Sequence, residues 1–178
     1  MPNFIVLTTV LGNRFPIRGS GWYRAATYQF GTQRTNLKDM SLTLDIVTPE
    51  RAFPSQTVDE VVLPALDGEI GVLPGHAALM SQLGVAGLLT YRQGGKETLA
   101  FVAQGFVEVL GNRVTVLTER AELAEDIDIE EARTRLREAE LALRKAEAER
   151  PDEDLYRLRA ELEAALVRVK TAERYMSR

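Results

Sequence analysis

Groups that could carry out chemistry are scarce in this chain of 178 residues. It contains one histidine, His76, and no cysteine, so a nucleophile–base pair or a metal site rich in nitrogen and sulfur ligands has almost no candidates. No glycine-rich phosphate loop, dinucleotide-binding fingerprint or HExxH zinc motif occurs. His76 has no plausible nucleophile as a partner, and we interpret it as a turn histidine that makes one hydrogen bond. The sequence therefore predicts no catalytic residue and no metal site.

The histidine lies in residues 63–79, a stretch rich in glycine and proline. Such a composition predicts two brief strands with tight turns at Asp67–Gly68 and Pro74–Gly75. Glycine suits these turns because it accepts a positive φ without steric cost. Inside the apolar run between the turns, a missing side chain indicates a bulge or a second backbone close by. The residues given a structural role here are Gly68, Gly71, Pro74 and Gly75.

The overall composition excludes several classes of protein. With 45% hydrophobic residues the chain can form a core. It contains no run of roughly 18 apolar residues, so we expect that it does not span a membrane by itself. The net charge of -4 argues against nucleic-acid binding, which needs clustered Lys and Arg.

Residues 1–39 differ in charge from the rest of the chain. They carry five basic side chains against Asp39 alone. An Arg-rich leader with few acids is typical of a mitochondrial transit peptide, but the apolar residues here do not fall on one helical face. We expect instead that translation starts at Met40 and that residues 1–39 are an extension from a start codon placed too far upstream. Disorder of this leader is the predicted consequence.

Residues 40–125 are predicted to form a domain of short strands. Leu42, Leu44 and Ile46 recur with period two, up to Pro49. Strands this short, separated by turn signals, predict an all-β sandwich or barrel of antiparallel strands. Gly105 falls between two of the runs and predicts a bulge. The further apolar runs are 58–63, 87–92, 97–103, 106–110 and 114–118.

Residues 126–178 change to a helical period. Two apolar stripes, interrupted near Pro151, predict a C-terminal antiparallel α-helical hairpin. Asp128 fits the N-cap of the first helix, with Glu131 closing a capping box. The first stripe is mostly alanine, so we expect a hairpin that is only marginally stable without the sandwich or a partner. The stripes are Ala132, Leu136, Ala139, Leu143 and Ala146, then Leu155, Leu158, Leu162, Ala165, Val169, Ala172 and Met176.

Three segments carry a resemblance to a known family. The first is GEIGVLPGHA at residues 68–77, and the third is IDIEEA at residues 127–132. The second is FVAQGFVEV at 101–109 with NRVTVL at 112–117, where Gln104 replaces a glycine that is common in the family. Together they resemble the epsilon subunit of bacterial F-type ATP synthases, the equivalent of the mitochondrial delta subunit. The resemblance covers residues 41–178.

This resemblance implies a non-catalytic rotor subunit in the central stalk of a proton-translocating ATP synthase. The sandwich would contact the gamma subunit, and a rim of surface turns holding Asp67, Glu69 and His76 would face the c-ring. The subunit would be peripheral, associated with the membrane only through the complex, on the cytoplasmic face of the bacterial plasma membrane.

The resemblance also implies a regulatory role for the hairpin. It would fold against the sandwich in one state and extend towards the alpha and beta subunits in another, where it inhibits ATP hydrolysis. Simple solubility is an equal alternative for the basic side chains that would meet an acidic beta surface. These side chains are Arg157, Arg168, Lys170 and Arg174.

The third segment resembles the family's I/L-D-x-x-R-A motif, through which some bacterial members bind ATP. Ile127, Asp128 and Ala132 match the motif, but Glu131 replaces the arginine that would meet a phosphate. An acid at a helix N-terminus strengthens the cap and repels an anion. ATP is therefore the one cofactor that the resemblance raises, and Glu131 argues against its binding.

A protein of another class could share these features. A stand-alone adaptor or small-ligand-binding module, built as a β-sandwich with a helical arm, could carry the same turn motifs. Association with the beta and gamma subunits of an ATPase separates the two classes.

Overall fold

The computed structural model describes residues 6–16, 22–31, 41–149 and 155–178, with side chains in the last two ranges. The chain divides into two units, Met1–Asp39 and Met40–Arg178. The predicted division of the second unit into a sandwich domain at 40–125 and a hairpin domain at 126–178 stays a prediction.

The described part of the first unit is a pair of strands. Strands β1 (Val6–Pro16) and β2 (Trp22–Gly31) pair antiparallel, with a register shift between Leu11 and Arg14. These two segments differ from the disorder predicted for the leader, because their Val, Thr, Tyr and Phe residues favour strands even where no helical face exists. For residues 1–5, 17–21 and 32–40 the prediction lies outside the described residues.

The second unit is a β-sandwich followed by an antiparallel helical hairpin, which confirms the predicted fold class. A 3-10 turn at Ala124–Asp126 joins the two parts. Its strands are β3 (Leu42–Val47), β4 (Gln56–Val58), β5 (Glu60–Ala65), β6 (Gly68–Val72), β7 (Leu79–Gln82), β8 (Gly87–Gln93), β9 (Lys96–Leu110) and β10 (Arg113–Leu123), and its helices are α1 (Ile129–Glu149) and α2 (Tyr156–Met176).

The strand predictions hold with four differences. The predicted run 58–63 is divided at Asp59 between β4, which was not predicted, and β5. The runs 97–103 and 106–110 are one continuous strand, β9. Strand β7 was not predicted, because its sequence LMSQ is short and has no β-branched residue. Strands β3 and β10 pair in parallel, although the others pair antiparallel, because β3 reaches β10 only through the long intervening chain.

All eight strands form one hydrogen-bonded sheet that folds over itself into two layers. The order is β4-β3-β10-β9-β8-β5-β6, and β7 pairs with the second half of β9. The core between the layers is built from alternate residues of each strand. Its fully buried members include Leu42, Leu44, Val58, Val61, Leu63, Val72 and Leu89.

Strands β9 and β10 contribute to both layers because each reverses its inward side midway. Inward-facing residues are two positions apart along each strand, except at one place where they are five positions apart. Because five is an odd number, the residues after this place face inward from the opposite face of the strand. The register between the two strands stays constant through this reversal. As a result β9 pairs first with β8 and then with β7. The inward residues are Ala100, Val102, Val107 and Val109 in β9, and Val114, Val116, Ala121 and Leu123 in β10.

The reversal in β9 occurs at Gln104 and Gly105, whose φ angles are 44° and 133°. A β-carbon on Gly105 would overlap the carbonyl oxygen of Leu117 and lie 2.8 Å from the Cα of Thr118, so only glycine fits. The predicted bulge is absent from the β9–β10 pair, since the register does not shift. Gly105 lies inside a strand and not in a turn.

Gly71 is an ordinary residue of β6. It pairs with Val62, and the register of β5 and β6 is constant on both sides. A β-carbon on Gly71 would meet nothing within 4 Å. The expected bulge or close backbone at Gly71 is therefore wrong, because this position faces solvent.

The helical hairpin covers the outer side of the layer that contains β8 and the first half of β9. Phe101 and Ala103 point outward from β9 and form a second, smaller core with both helices. Only Ala132 of α1 is buried, and Met176 at the end of α2 is 68% exposed. The predicted alanine-rich contact is thus present but thin. The residues of this second core on the hairpin side are Ile127, Ala132, Ala164, Val169 and Ala172.

We predict that Gly105→Ala lowers the free energy of unfolding by about 3 kcal/mol or more, because it adds a backbone clash to an unfavourable φ. Gly71→Ala is the matched control, and it should change the stability by no more than about 0.5 kcal/mol or raise it slightly. Urea unfolding followed by circular dichroism measures both. Similar losses in the two variants would contradict the role given to Gly105.

Candidate functional site

The two acidic turn residues and the histidine do not form the single rim expected from the sequence. Asp67 lies in the two-residue turn between β5 and β6, Glu69 is exposed within β6, and His76 follows the opposite end of β6. A continuous strand separates the two ends by roughly 13 Å, at about 3.3 Å per residue. Asp67 and Glu69 therefore lie near one end of β6 and His76 follows the other end, and their contacts with a partner stay a prediction.

His76 belongs to a turn that is tied to the β9–β10 hairpin. Its backbone N–H donates to the carbonyl oxygen of Leu73 over 3.0 Å. Its ring Nδ1 lies 2.8 Å from the carbonyl oxygen of Ala77, which is the one side-chain hydrogen bond that the sequence predicted. The N–H of Gly75 donates to Oδ1 of Asn112 over 2.7 Å. The turns at 74–75 and 111–112 thus lie together at one end of the sandwich.

The structure also shows an exposed apolar surface on the sandwich that was not predicted from the sequence. On the outer side of the layer formed by β3, β10, β9 and β7, four large apolar side chains are exposed by 53% to 70%. The register places Leu117 opposite Phe106, and it places Met80 opposite Glu108, an exposed acid that lies between Phe106 and Leu110 on the same side of β9. We call this surface the outer apolar face; it consists of Met80, Phe106, Leu110 and Leu117.

A signal for this face exists in the sequence. In the run FVEVL at 106–110, Val107 and Val109 fill the inward positions, yet Phe106 and Leu110 occupy outward positions where polar residues are usual. Large apolar patches on a protein surface mark sites of interaction. Within residues 41–149 and 155–178, the hairpin covers one outer side of the sandwich and the other side exposes the outer apolar face, where Phe106 and Leu117 line a cavity together with Tyr156 of α2.

The start of α1 follows the sequence prediction in part. Oδ1 of Asp128 accepts hydrogen bonds from the backbone N–H groups of Glu130 and Glu131, at 2.9 and 3.1 Å, so Asp128 is the N-cap. The carboxylate of Glu131, expected to close a capping box, bonds to arginines instead. Nη1 of Arg168 lies 2.7 Å from it and Nε of Arg135 lies 3.5 Å from it.

Arg168 joins three elements of the fold. Its Nε and Nη2 donate to the two carboxylate oxygens of Glu122 on β10, at 2.7 and 2.9 Å, and its Nη1 pairs with Glu131 on α1. The Arg168 side chain is 19% exposed and that of Glu122 is 26% exposed. We call these three residues the Arg168 cluster. Hydrogen bonding to Arg168 lowers the pKa of Glu131, and hydrogen bonding to Glu122 raises the pKa of Arg168.

The cluster changes the interpretation of the basic residues on α2. Arg157, Lys170 and Arg174 are exposed, as a binding or solubilising role requires. Arg168 is instead engaged within the chain. Glu122 was not singled out from the sequence, because an acid in a strand is by default a solvent-facing residue and its partner lies 46 residues away.

A groove of about 920 Å³ lies between the hairpin and the sheet. Seven acidic side chains line it against four arginines, and Arg168 is already paired with two of the acids. Such a lining disfavours a polyanion such as a nucleotide. Among residues 41–149 and 155–178, no group of three or more acidic or histidine side chains is arranged to hold a metal ion.

Comparison with known proteins agrees with this architecture. Residues 41–124 match the family model described as ATP synthase, Delta/Epsilon chain, beta-sandwich domain. The ATP synthase epsilon chain of Desulforamulus reducens is 43% identical over 130 residues, which are 73% of this chain and 96% of that protein. The epsilon chain of Nitratidesulfovibrio vulgaris strain Miyazaki F is 52% identical over 95 residues, 53% of this chain and 70% of that one.

A solved structure gives the same result. A chain in the cryo-EM structure of the Euglena gracilis mitochondrial ATP synthase, which contains OSCP, F1 and the c-ring, has a TM-score of 0.59 and 25% identity. The match covers 86% of this chain and 91% of that one.

A sandwich with a C-terminal hairpin that matches relatives over almost their whole length defines a delta/epsilon-type subunit of an ATP synthase. The chain belongs to the ATP synthase epsilon chain family. It is a non-catalytic subunit of the central stalk of an F-type enzyme, as the resemblance implied. No helix in the described ranges is long and apolar enough to cross a membrane.

Proposed function

We propose that this subunit couples the gamma subunit to the c-ring and restrains ATP hydrolysis through its hairpin. Three observations support the proposal: the family, a rigid sandwich with one uncovered apolar side, and a hairpin attached by a thin contact. The related Euglena structure contains F1 and the c-ring together. The subunit would be peripheral, on the cytoplasmic face of a bacterial plasma membrane, and would reach the membrane through the complex alone.

The outer apolar face carries the proposal for the gamma contact. Phe106, Leu117 and Met80 expose more than half of their surface, and burying such side chains contributes about 25 cal/mol per Å². Phe106 lies between Leu117 and Gln82 in the register. We keep Asp67, Glu69 and His76 as proposed contacts to the c-ring and gamma. Asp67 and Glu69 lie near one end of β6 and His76 follows the other end, so we propose that the two groups make separate contacts.

We predict that Phe106→Glu weakens binding to the purified gamma subunit by at least about tenfold, because it replaces an apolar side chain opposite Leu117 with a charge. Leu141→Glu is the control, since Leu141 on α1 is 66% exposed and lies outside this face. Titration calorimetry of each variant with gamma gives the affinities. Binding that is unchanged by Phe106→Glu would remove this face from the gamma contact.

The hairpin supports a regulatory role because its docked state is weakly held. An alanine contact buries little area, so the apolar term is small. Arg157, Lys170 and Arg174 are exposed on α2, where they could meet an acidic surface of the alpha or beta subunits after release. The inhibitory state would then be the extended one.

We predict that deleting residues 126–178 raises the ATPase activity of the assembled complex several-fold while the truncated sandwich still assembles with it. Deletion removes the segment that would reach the catalytic subunits and leaves the outer apolar face in place. Activity of purified complexes with and without these residues, at matched subunit content, measures the effect. Equal activities would argue against inhibition by the hairpin.

We also propose that the subunit works without a cofactor. Ile127, Asp128 and Ala132 keep the ATP motif, but Glu131 is paired with Arg168 and adds negative charge where a phosphate would lie.

Isothermal titration of the full chain with ATP should show no binding in the micromolar range, because the groove has an excess of acids. Glu131→Arg, which restores the motif residue, is the comparison variant. Micromolar affinity in the unmodified chain would contradict the proposal.

A further inference from the structure

Sulfur chemistry in this chain is confined to methionine. The chain has no cysteine and four methionines, so the thioether is the only oxidisable sulfur group that it carries. Met80 and Met176 belong to the ranges that the structure describes with side chains, and they are 70% and 68% exposed. Methionine more often fills gaps in a hydrophobic core. A small oxidant in the solvent can therefore reach both of these side chains.

Met80 lies on the outer apolar face, at the point where β7 joins it. Its cross-strand partner in β9 is Glu108, and Phe106 and Leu110 on either side of Glu108 are its diagonal neighbours. Exposure alternates along β7, and Leu79 packs against the core whereas Met80 is left in solvent. A chemical change at the sulfur of Met80 therefore alters the outer apolar face and leaves the core as it is.

We propose that Met80 is a modification site, at which hydrogen peroxide oxidises the unassembled subunit and so weakens the outer apolar face as a contact for gamma. One oxygen atom passes from the peroxide to Sδ of Met80. The O–O bond breaks, an S–O bond forms and water leaves, so the sulfur is oxidised to a sulfoxide and the peroxide is reduced. The accessibility of Met80 is a property of this chain, whereas the effect on gamma rests on the proposed function.

The sulfoxide differs from the thioether in polarity more than in size. Its oxygen is a strong hydrogen-bond acceptor, and burying such an acceptor without a donor costs free energy. The neighbours of Met80 in β9 supply no donor, because Phe106 and Leu110 are apolar and an ionised Glu108 only accepts. Leucine at position 80 would keep the apolar surface and could not be oxidised. The Met80→Leu variant thus separates the oxidation from the contact itself.

Titration of gamma with peroxide-treated full chain tests the proposal. The subunit is oxidised alone and the peroxide is removed before untreated gamma is added, and mass spectrometry of its peptides measures the oxygen gained at each methionine. Treatment should raise the Kd for gamma at least about fivefold, because an acceptor is buried in an apolar contact. The unfolding temperature should move by less than about 2 °C, since Met80 is outside the core.

Two variants give the matched controls. Met80→Leu should bind gamma as the unmodified chain does and should keep its affinity after treatment. Met176→Leu removes the other exposed thioether and should lose affinity on treatment to the same extent as the unmodified chain. Bound gamma should also slow the oxidation of Met80 at least about fivefold, because the contact would cover it.

The results that overturn the proposal are distinct. Met80 that stays unoxidised while Met176 is oxidised would refute its accessibility, and an unchanged Kd with Met80 fully oxidised would refute the effect on gamma. Equal loss of affinity in treated Met80→Leu would assign the effect to another residue. If Phe106→Glu weakens gamma binding and oxidation does not, the proposed gamma contact stands and this inference fails. If neither change matters, the gamma contact on this face fails as well.

Discussion

The reversal in the middle of β9 and β10 is the constraint on which the rest of the structure depends. Because both strands turn over together, their register is kept while their inward side changes, and one ribbon serves two layers. The same event places Phe101 and Glu122 on the side that receives the hairpin, and Phe106 and Leu117 on the side left uncovered. Gly105, where the backbone leaves no room for a side chain, lies at this reversal.

The two outer sides differ in how they are covered. The hairpin side is closed by alanines, which bury little area, and by ion pairs, of which the Arg168 cluster is the most shielded. Ion pairs contribute modestly because desolvation offsets much of their attraction. The uncovered side presents Phe106 and Met80, whose burial would be mainly hydrophobic and so suits a lasting contact.

Much of the fold could be predicted from local patterns. Apolar residues at every second position predicted β3, and the glycine-containing turns predicted the β-hairpins. Apolar residues spaced alternately three and four apart predicted both helices. What could not be predicted arises from pairing across the chain. Glu122 and Arg168 are 46 residues apart, and only the folded sheet brings them together. The separation of Asp67 from His76 similarly required knowing that residues between them form a continuous strand, because a run of short apolar residues does not show which turn faces which end.

The identity of the charged groups in the Arg168 cluster matters as much as their charge. A lysine at position 168 would keep the positive charge but could not bond both oxygens of Glu122 and reach Glu131 at the same time. A single guanidinium thus joins α2 to both the sheet and α1. A partner can shift an equilibrium between a docked and a released α2 only by the difference between its affinities for the two states.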